Sequence, residues 1–389
     1  MKRILLASAS IVAFAGAAAA EVDISGSAAI GWNDDFKEID TGEEGFYNDF
    51  DFDFNFTQEL DNGLTAAVRI GFEYVDSDTG TIDNGHDDFG SFTDDNFLLS
   101  LTADMGAMYF GDTSFAAETY WNGVTNMAAD DFSEADGEVV LRGEFTWNDI
   151  TFGTSWLIHN DQVAGESATG VGLGTGNIDQ GSIGAQGEFG GFTFSAAYQE
   201  EADESYGAGY NGDFVEDEVF GLAVGTTFRG FDVTLAYADH DGEGSSTGLE
   251  ATFPVGPVSL TAFYVLNDED GAADYDDNYG LEVAYASGPF ALSARYHDGA
   301  DEEMGVEGSY TIGNGLMAYA GYVDEGDAAD GSDQSSYYYV AGELDLGNGA
   351  SLLLSYADVD DVATADTDLD EIGVNDYLLG TTLQVSFDF

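Results

Sequence analysis

Carboxylates are the one reactive group this sequence supplies in quantity: 76 Asp and Glu stand against seven Lys and Arg, four His and no Cys. Acids alone can bind hard divalent cations, act as paired acid and base, or create a field that sorts ions. Enzymatic work asks for more, and the chain has no Gly-x-Ser-x-Gly elbow, no His-Glu-x-x-His and no Gly-rich phosphate loop. No catalytic residue is assigned. His86, His159, His240 and His297 each fall in or beside a loop and read as surface residues at loop ends. The stretch "DTDLDE" (366–371) starts like a calcium loop. It lacks glycine at its sixth position and reaches Tyr377 where a bidentate glutamate belongs. It reads as a solvated loop with weak Ca²⁺ or Mg²⁺ affinity at best, so neither a firm metal site nor a cofactor is expected. With no basic patch to neutralise phosphates, nucleic acid is excluded as a partner. Without Cys there is no disulfide framework and no thiolate metal site.

The acids gain meaning from what they alternate with. In "FDFDFNFT" (50–57), Phe50, Phe52, Phe54 and Phe56 share one parity, and Asp51, Asp53, Asn55 and Thr57 the other. Successive side chains of a strand point to opposite faces, so one face is apolar and the other charged. The same split recurs. Leu64, Ala66, Val68, Ile70, Phe72 and Tyr74 oppose Arg69 and Glu73; Leu141, Phe145 and Trp147 oppose Arg142 and Glu144. Phe290, Leu292, Ala294 and Tyr296 oppose Ser293, Arg295 and His297, and Leu383, Val385, Phe387 and Phe389 oppose Gln384 and Asp388. A net charge of −69 suggests disorder, but 44% hydrophobic and 14% aromatic residues require an ordered protein.

These strands are joined by a repeated punctuation. Nine short Gly, Asn or Asp turns, among them "FGGF" (189–192), "FRGF" (228–231) and "LGNG" (346–349), alternate with long acidic loops such as "LNDEDGAADYDDN" (266–278). Pro254, Pro257 and Pro289 all lie at such turns, where a missing ladder donor does no harm. Nine hairpins plus two terminal strands count to twenty, and because a hairpin can be a loop excursion the expectation is 16–20 antiparallel strands. The N-terminus carries Lys2 and Arg3, an Ala-rich apolar stretch and Ala18-Ala19-Ala20 before Glu21, the pattern of a cleaved export signal. The expected organisation is therefore a signal peptide over 1–20 and one β domain over 21–389. Removing Lys2 and Arg3 leaves five bases in the mature chain.

Which way the apolar face points separates a soluble barrel from a membrane one. Mid-strand charges on the polar parity (Asp51, Asp53, Glu73, Glu144, Glu250, Glu282, Glu307 and Glu343) could not sit in a dry core but suit a water-filled lumen. Aromatics flank the apolar face. Tyr74, Tyr198, Tyr237, Tyr264, Tyr285, Tyr296, Tyr322 and Tyr356 read as a girdle near the loop ends. Trp147, Phe189, Phe192, Phe228, Phe231, Phe253 and Phe290 read as a second girdle near the turns. Two girdles, short turns at one end and long loops at the other are the marks of a closed transmembrane β-barrel.

At this point the chain resembles the general diffusion porins of Gram-negative outer membranes, in their alphaproteobacterial form. The resemblance rests on "AEVDISGSAAIGW" (20–32), "GAMYFGDTSFAAETYW" (106–121) and the terminal "LQVSFDF" ending in Phe389. It implies an outer-membrane homotrimer of barrels in contact with lipid and lipopolysaccharide, and assembly machinery that reads Phe389. It also implies one loop, here Asp112–Gly137, folded into each pore. That loop would bring Asp112, Glu118, Asp130, Asp131, Glu134 and Asp136 to the constriction, with no base. In the family, arginines on the facing wall oppose such acids. Parity offers Arg69, Arg142 and Arg295 for that role, while Arg229 sits in a turn; equally, each arginine could simply pair with a wall acid such as Glu73 or Glu144.

An acid-lined lumen with few counter-charges attracts cations. The expectation is passive, cation-favouring diffusion of ions and small hydrophilic solutes through a channel that is not an enzyme. The alternatives are a substrate-specific channel and a non-conducting structural barrel or adhesin. For the first, Tyr339 and Phe263 alone make too short an aromatic line for a sugar slide, and a basic ladder for phosphate is missing.

Overall fold

The computed structural model describes residues 21–34, 45–75, 91–135, 138–159, 180–202, 214–269, 277–299, 302–326, 336–360 and 372–389. The export signal, the 366–371 stretch, His86 and Asp136 lie outside the described residues.

Alternation becomes strand throughout. The first quarter of the chain forms β1 (Glu21–Asn33), β2 (Phe46–Glu59), β3 (Thr65–Val75), β4 (Ser91–Ala103) and β5 (Gly106–Gly111). A five-residue helix, α1 (Ala116–Tyr120), interrupts the pattern before β6 (Val139–Trp147), β7 (Ile150–His159), β8 (Gly181–Phe189) and β9 (Phe192–Gln199). Then come β10 (Val219–Phe228), β11 (Phe231–His240), β12 (Gly244–Val255), β13 (Val258–Glu269), β14 (Asn278–Ser287) and β15 (Phe290–Asp298). The chain ends with β16 (Glu303–Gly313), β17 (Leu316–Asp324), β18 (Ser336–Gly347), β19 (Ala350–Asp360) and β20 (Gly380–Asp388). Every neighbour pairs antiparallel, and β20 pairs back onto β1, with Ala28 opposite Phe387 and Ile30 opposite Val385. The twenty strands therefore form one closed barrel, at the upper end of the expected range. No described helix is long and apolar enough to cross a membrane.

All nine expected tight turns are present. Phe189 pairs Phe192 across Gly190 and Gly191 (φ +64° and +85°), and Phe228 pairs Phe231 across Arg229 and Gly230 (φ +54° and +86°). Two successive positive φ values make the turn whose twist matches a hairpin, which is why Gly fills them. Arg229 is thus a turn residue, its guanidinium 5.1 Å from the Phe228 ring.

The two parities have opposite fates. Apolar-parity residues face outward and remain accessible, Leu235 at 55%, Val340 at 53% and Leu354 at 57%. At the loop ends tyrosine hydroxyls on this face donate to carboxylates, Tyr198 to Glu218 (2.7 Å), Tyr264 to Asp277 (2.8 Å) and Tyr338 to Asp358 (2.8 Å). Tyr285 corrects the expected girdle: it lies near the β14–β15 turn, its ring 5.9 Å from Phe290, because β14 runs from loop to turn. Two histidines are also corrected. His240 and His297 are buried on the inner parity, at 3% and 7% exposure, and not on the surface.

Closure is completed by the last residue. Phe389 and Gly26 exchange two backbone hydrogen bonds (2.9 and 3.0 Å), and the Phe389 ring lies 5.9 Å from Phe52. Phe389→Ala should lower the unfolding free energy in lipid vesicles by about 1 kcal/mol through the lost aromatic pair. Deleting Phe389 should cost more, because it also opens both backbone bonds; urea titrations of the two variants separate the contributions.

Candidate functional site

A ring this wide encloses more space than side chains can fill, and here a stretch of chain packs on inward-parity residues of its wall. At Gly111 (φ +123°) the chain leaves the sheet; a Cβ there would meet the Phe97 carbonyl oxygen at 2.1 Å. From Asp112 to Ala135 it runs along the inner faces of β6–β15, held by a row of short polar side chains and by apolar contacts. Ser155, Ser182, Ser195 and Ser246 accept from the backbone N–H groups of Ala116 (2.9 Å), Ala117 (3.0 Å), Asn122 (3.1 Å) and Ala129 (3.0 Å). Gln199 accepts from the Ser133 N–H at 2.8 Å. Ala116 and Ala117 are the first residues of α1, whose N-terminal N–H groups have no partner within the helix. Phe115, the residue before the helix, offers no capping side chain. The wall serines do the capping.

Glycines on the inner parity make this approach possible. A Cβ on Gly153 would meet the Tyr120 ring at 2.1 Å, on Gly184 the Ala116 oxygen at 2.3 Å, on Gly221 the Trp121 ring at 2.5 Å and on Gly248 Val124 at 2.7 Å. Apolar packing fills the remainder: Val124, Met127 and Ala129 are buried with Ala223, Ala236, Ala238, Phe263 and Val265. Asn278 donates to the Asn126 oxygen at 2.8 Å. His297 Nδ1 lies 3.5 Å from Asn126 Nδ2, its ring against Phe263 and its Nε2 3.1 Å from Glu282.

The acids of the segment differ in setting. Asp112, Asp131 and Glu134 are exposed, whereas Glu118 and Asp130 are half-buried. Burial raises both carboxyls above the ordinary range, and Asp130 reaches about 6 although the Trp121 indole donates to it at 2.8 Å.

Two wall acids anchor the segment. Glu144 accepts from the hydroxyls of Tyr120 (2.8 Å) and Tyr109 (3.3 Å), and Glu250 from the Thr125 hydroxyl (2.7 Å). Glu307 accepts from Tyr339 at 2.8 Å, and Glu343 is half-buried on β18. Elsewhere on the wall, Asp51 accepts from Ser27 at 2.9 Å, and the carboxylates of Asp49, Asp51 and Glu73 stand within 4.8 Å of one another, close enough to share a divalent ion.

The arginines are spread over the wall. Arg69 on β3 forms a bidentate pair with Asp53 (2.9 and 3.1 Å). Arg295 on β15 pairs with Glu303 and Glu307. Arg142 on β6 lies beneath the segment, its Nη1 donating to the Ser114 oxygen (3.1 Å) and to Thr119 (2.5 Å), and its guanidinium 4.9 Å from the Tyr109 ring. Two of the three therefore pair with wall acids, the alternative that parity had left open. The serine row was not identified from the sequence. The sign that could have exposed it is the run of inward mid-strand glycines, since Gly inside a strand marks close approach of another backbone.

Gly221→Leu should displace Trp121 and weaken seating of the segment by roughly 1–3 kcal/mol. Limited proteolysis of the folded barrel should then cut within 112–135, where the unmodified protein resists.

The sequence matches the family described as Gram-negative porin over residues 7–360. Among solved structures, a five-site mutant of Rh. blastica porin aligns with 95% of this chain and 100% of its own at 12% identity and a TM-score of 0.45. A triple mutant of Rhodopseudomonas blastica porin aligns over the same shares at 15% identity and a TM-score of 0.38. No curated protein sequence matches the chain.

Proposed function

Because the chain belongs to the Gram-negative porin family, and is thus an outer-membrane channel protein built on a closed barrel, we propose that it is a general porin favouring cations. Ions and small hydrophilic solutes cross by passive diffusion, and the 112–135 segment narrows the path. The observation that carries this reading is the seating of residues 112–135 along the inner faces of β6–β15 with Asp112, Asp131 and Glu134 at exposed positions. Positive charge offers little opposition. Arg69 and Arg295 are paired with carboxylates, and Arg142 is engaged by Ser114 and Thr119.

The field follows from that balance. Carboxylates along a water-filled path between low-dielectric walls concentrate cations and deplete anions. The family supports a homotrimer; we further infer a setting among lipid and lipopolysaccharide and, from loop carboxylates alone, weak Ca²⁺ or Mg²⁺ binding at the acidic external loops.

A planar-bilayer recording of the refolded mature protein under a KCl gradient tests the reading. The expected reversal potential favours K⁺, and a chloride preference would overturn it. The triple change Asp112→Asn, Asp131→Asn, Glu134→Gln should lower the K⁺/Cl⁻ permeability ratio by about twofold or more.

Acidity gives an independent check. The raised Asp130 carboxyl, at about 6 because of burial, is charged above that pH and neutral below it. Cation preference should therefore step down as pH falls from 7 to 5, and Asp130→Asn should remove that step. The stability effect runs the other way: the raised carboxyl penalises the folded state fully above pH 6, and the penalty fades as pH falls from 6 to about 4, so seating of the segment should tighten over that window.

A further inference from the structure

A second stretch of chain turns inward between β19 and β20. Residues 372–379 form a small knob in which Ile372 and Tyr377 exchange two backbone bonds (3.2 and 3.0 Å). Gly373 and Asp376 adopt positive φ (+78° and +51°), and Asn375 Nδ2 donates to the Tyr377 hydroxyl at 2.9 Å. The base is apolar and anchored. Ile372, Tyr377 and Leu379 are buried with Tyr339 and Ala357, and Tyr319, Tyr337 and Leu353 pack against them. These wall residues come from the inner parity of β17–β19, and the Tyr377 ring is 5.0 Å from that of Tyr339. The knob is also tied across the barrel seam, where the buried Asn33 amide donates to the Leu379 oxygen at 2.7 Å.

The tip behaves differently. Val374, Asn375 and Asp376 are exposed, Val374 at 55%, above a base that is almost inaccessible. Val374 borders a cavity of about 450 Å³ together with Ser259, Ser293, Glu307, Ser309 and Tyr319. An apolar anchor that holds three accessible residues on the inner side of a barrel is built to present them to whatever occupies the lumen.

We propose that residues 372–379 are a second channel-narrowing element, and that Val374, Asn375 and Asp376 touch solutes in transit. This rests on reading the barrel as a diffusion channel. The first segment seats on β6–β15, and the knob seats on β17–β19 and is tied to β1 through Asn33. The contacts described for both leave the arc of β2 and β3, where Asp49, Asp51, Asp53 and Glu73 stand. Solutes then pass between the knob and that acidic arc. With Asp376 at the tip, small organic cations cross more readily than anions of equal size.

The absence of Cys makes this testable with one engineered thiol. Asn375→Cys in the full mature protein, refolded into a planar bilayer, is treated with a bulky, membrane-impermeant thiosulfonate, and modification is confirmed by mass. Single-channel conductance should fall by roughly a third or more, since pore diameter sets passage. The same treatment of Asn62→Cys, in the β2–β3 turn, should leave conductance unchanged. Asp376→Lys should shift the reversal potential toward anions, an effect a purely structural knob would not produce. Complete modification at position 375 with unaltered conductance would overturn the proposal and leave the porin reading intact. Absence of conductance before any modification would overturn the porin reading, and this inference with it.

Discussion

Within hydrocarbon every backbone N–H and C=O must find its partner inside the protein, and a sheet meets that demand only by closing on itself. The pairing of β20 with β1 is therefore the contact on which the rest depends. Once the ring is closed, each strand has one lipid-facing and one enclosed side, and alternation of Phe with Asp in β2 follows directly. An open edge at the seam would expose a row of unpaired groups. The last residue of the chain contributes two of the bonds that prevent this.

Closure also creates a problem, because twenty strands surround a hollow. The inner wall answers with Ser and Gly where chain must approach and with acids where water remains. Ser155, Ser182 and Ser195 offer hydroxyls to passing amides, and the neighbouring glycines clear room for Tyr120 and Trp121. Glu144 and Glu250, which by pattern are lumen charges, act also as tethers for tyrosine and threonine hydroxyls. Charge on this wall thus serves both position and field.

Much of the architecture was legible in the sequence because it obeys a period of two. Inward and outward faces, the nine turns and a strand count of 16–20 that contains the observed twenty all followed from alternation and from Gly, Asn and Asp at the hairpins. What escaped was anything decided by proximity between distant strands. Tyr285 was placed at the wrong rim because periodicity gives the face of a residue but not its height. His240 and His297 looked exposed because they sit near loops, yet their inward parity brings them under neighbouring chain. His240 ends 3.7 Å from Asp217 and 3.6 Å from Glu243. Tyr339 and Phe263, read as lumen aromatics, are instead covered, one by the 372–379 knob and the other by the 112–135 segment. The positions of the arginines depended on partners in other strands, Asp53, Glu303 and Glu307, which local sequence could not select.

The seam has a kinetic meaning as well. Asn33 reaches across it to Leu379, a contact separated by 346 residues. Contacts of such long range give a fold a high contact order, and closing so large a loop costs entropy before any pairing repays it. The chain cannot complete its topology until its final strand is available, so closure of the ring waits on β20. Until then two bare edges persist, each a row of unpaired backbone groups on which another chain can pair.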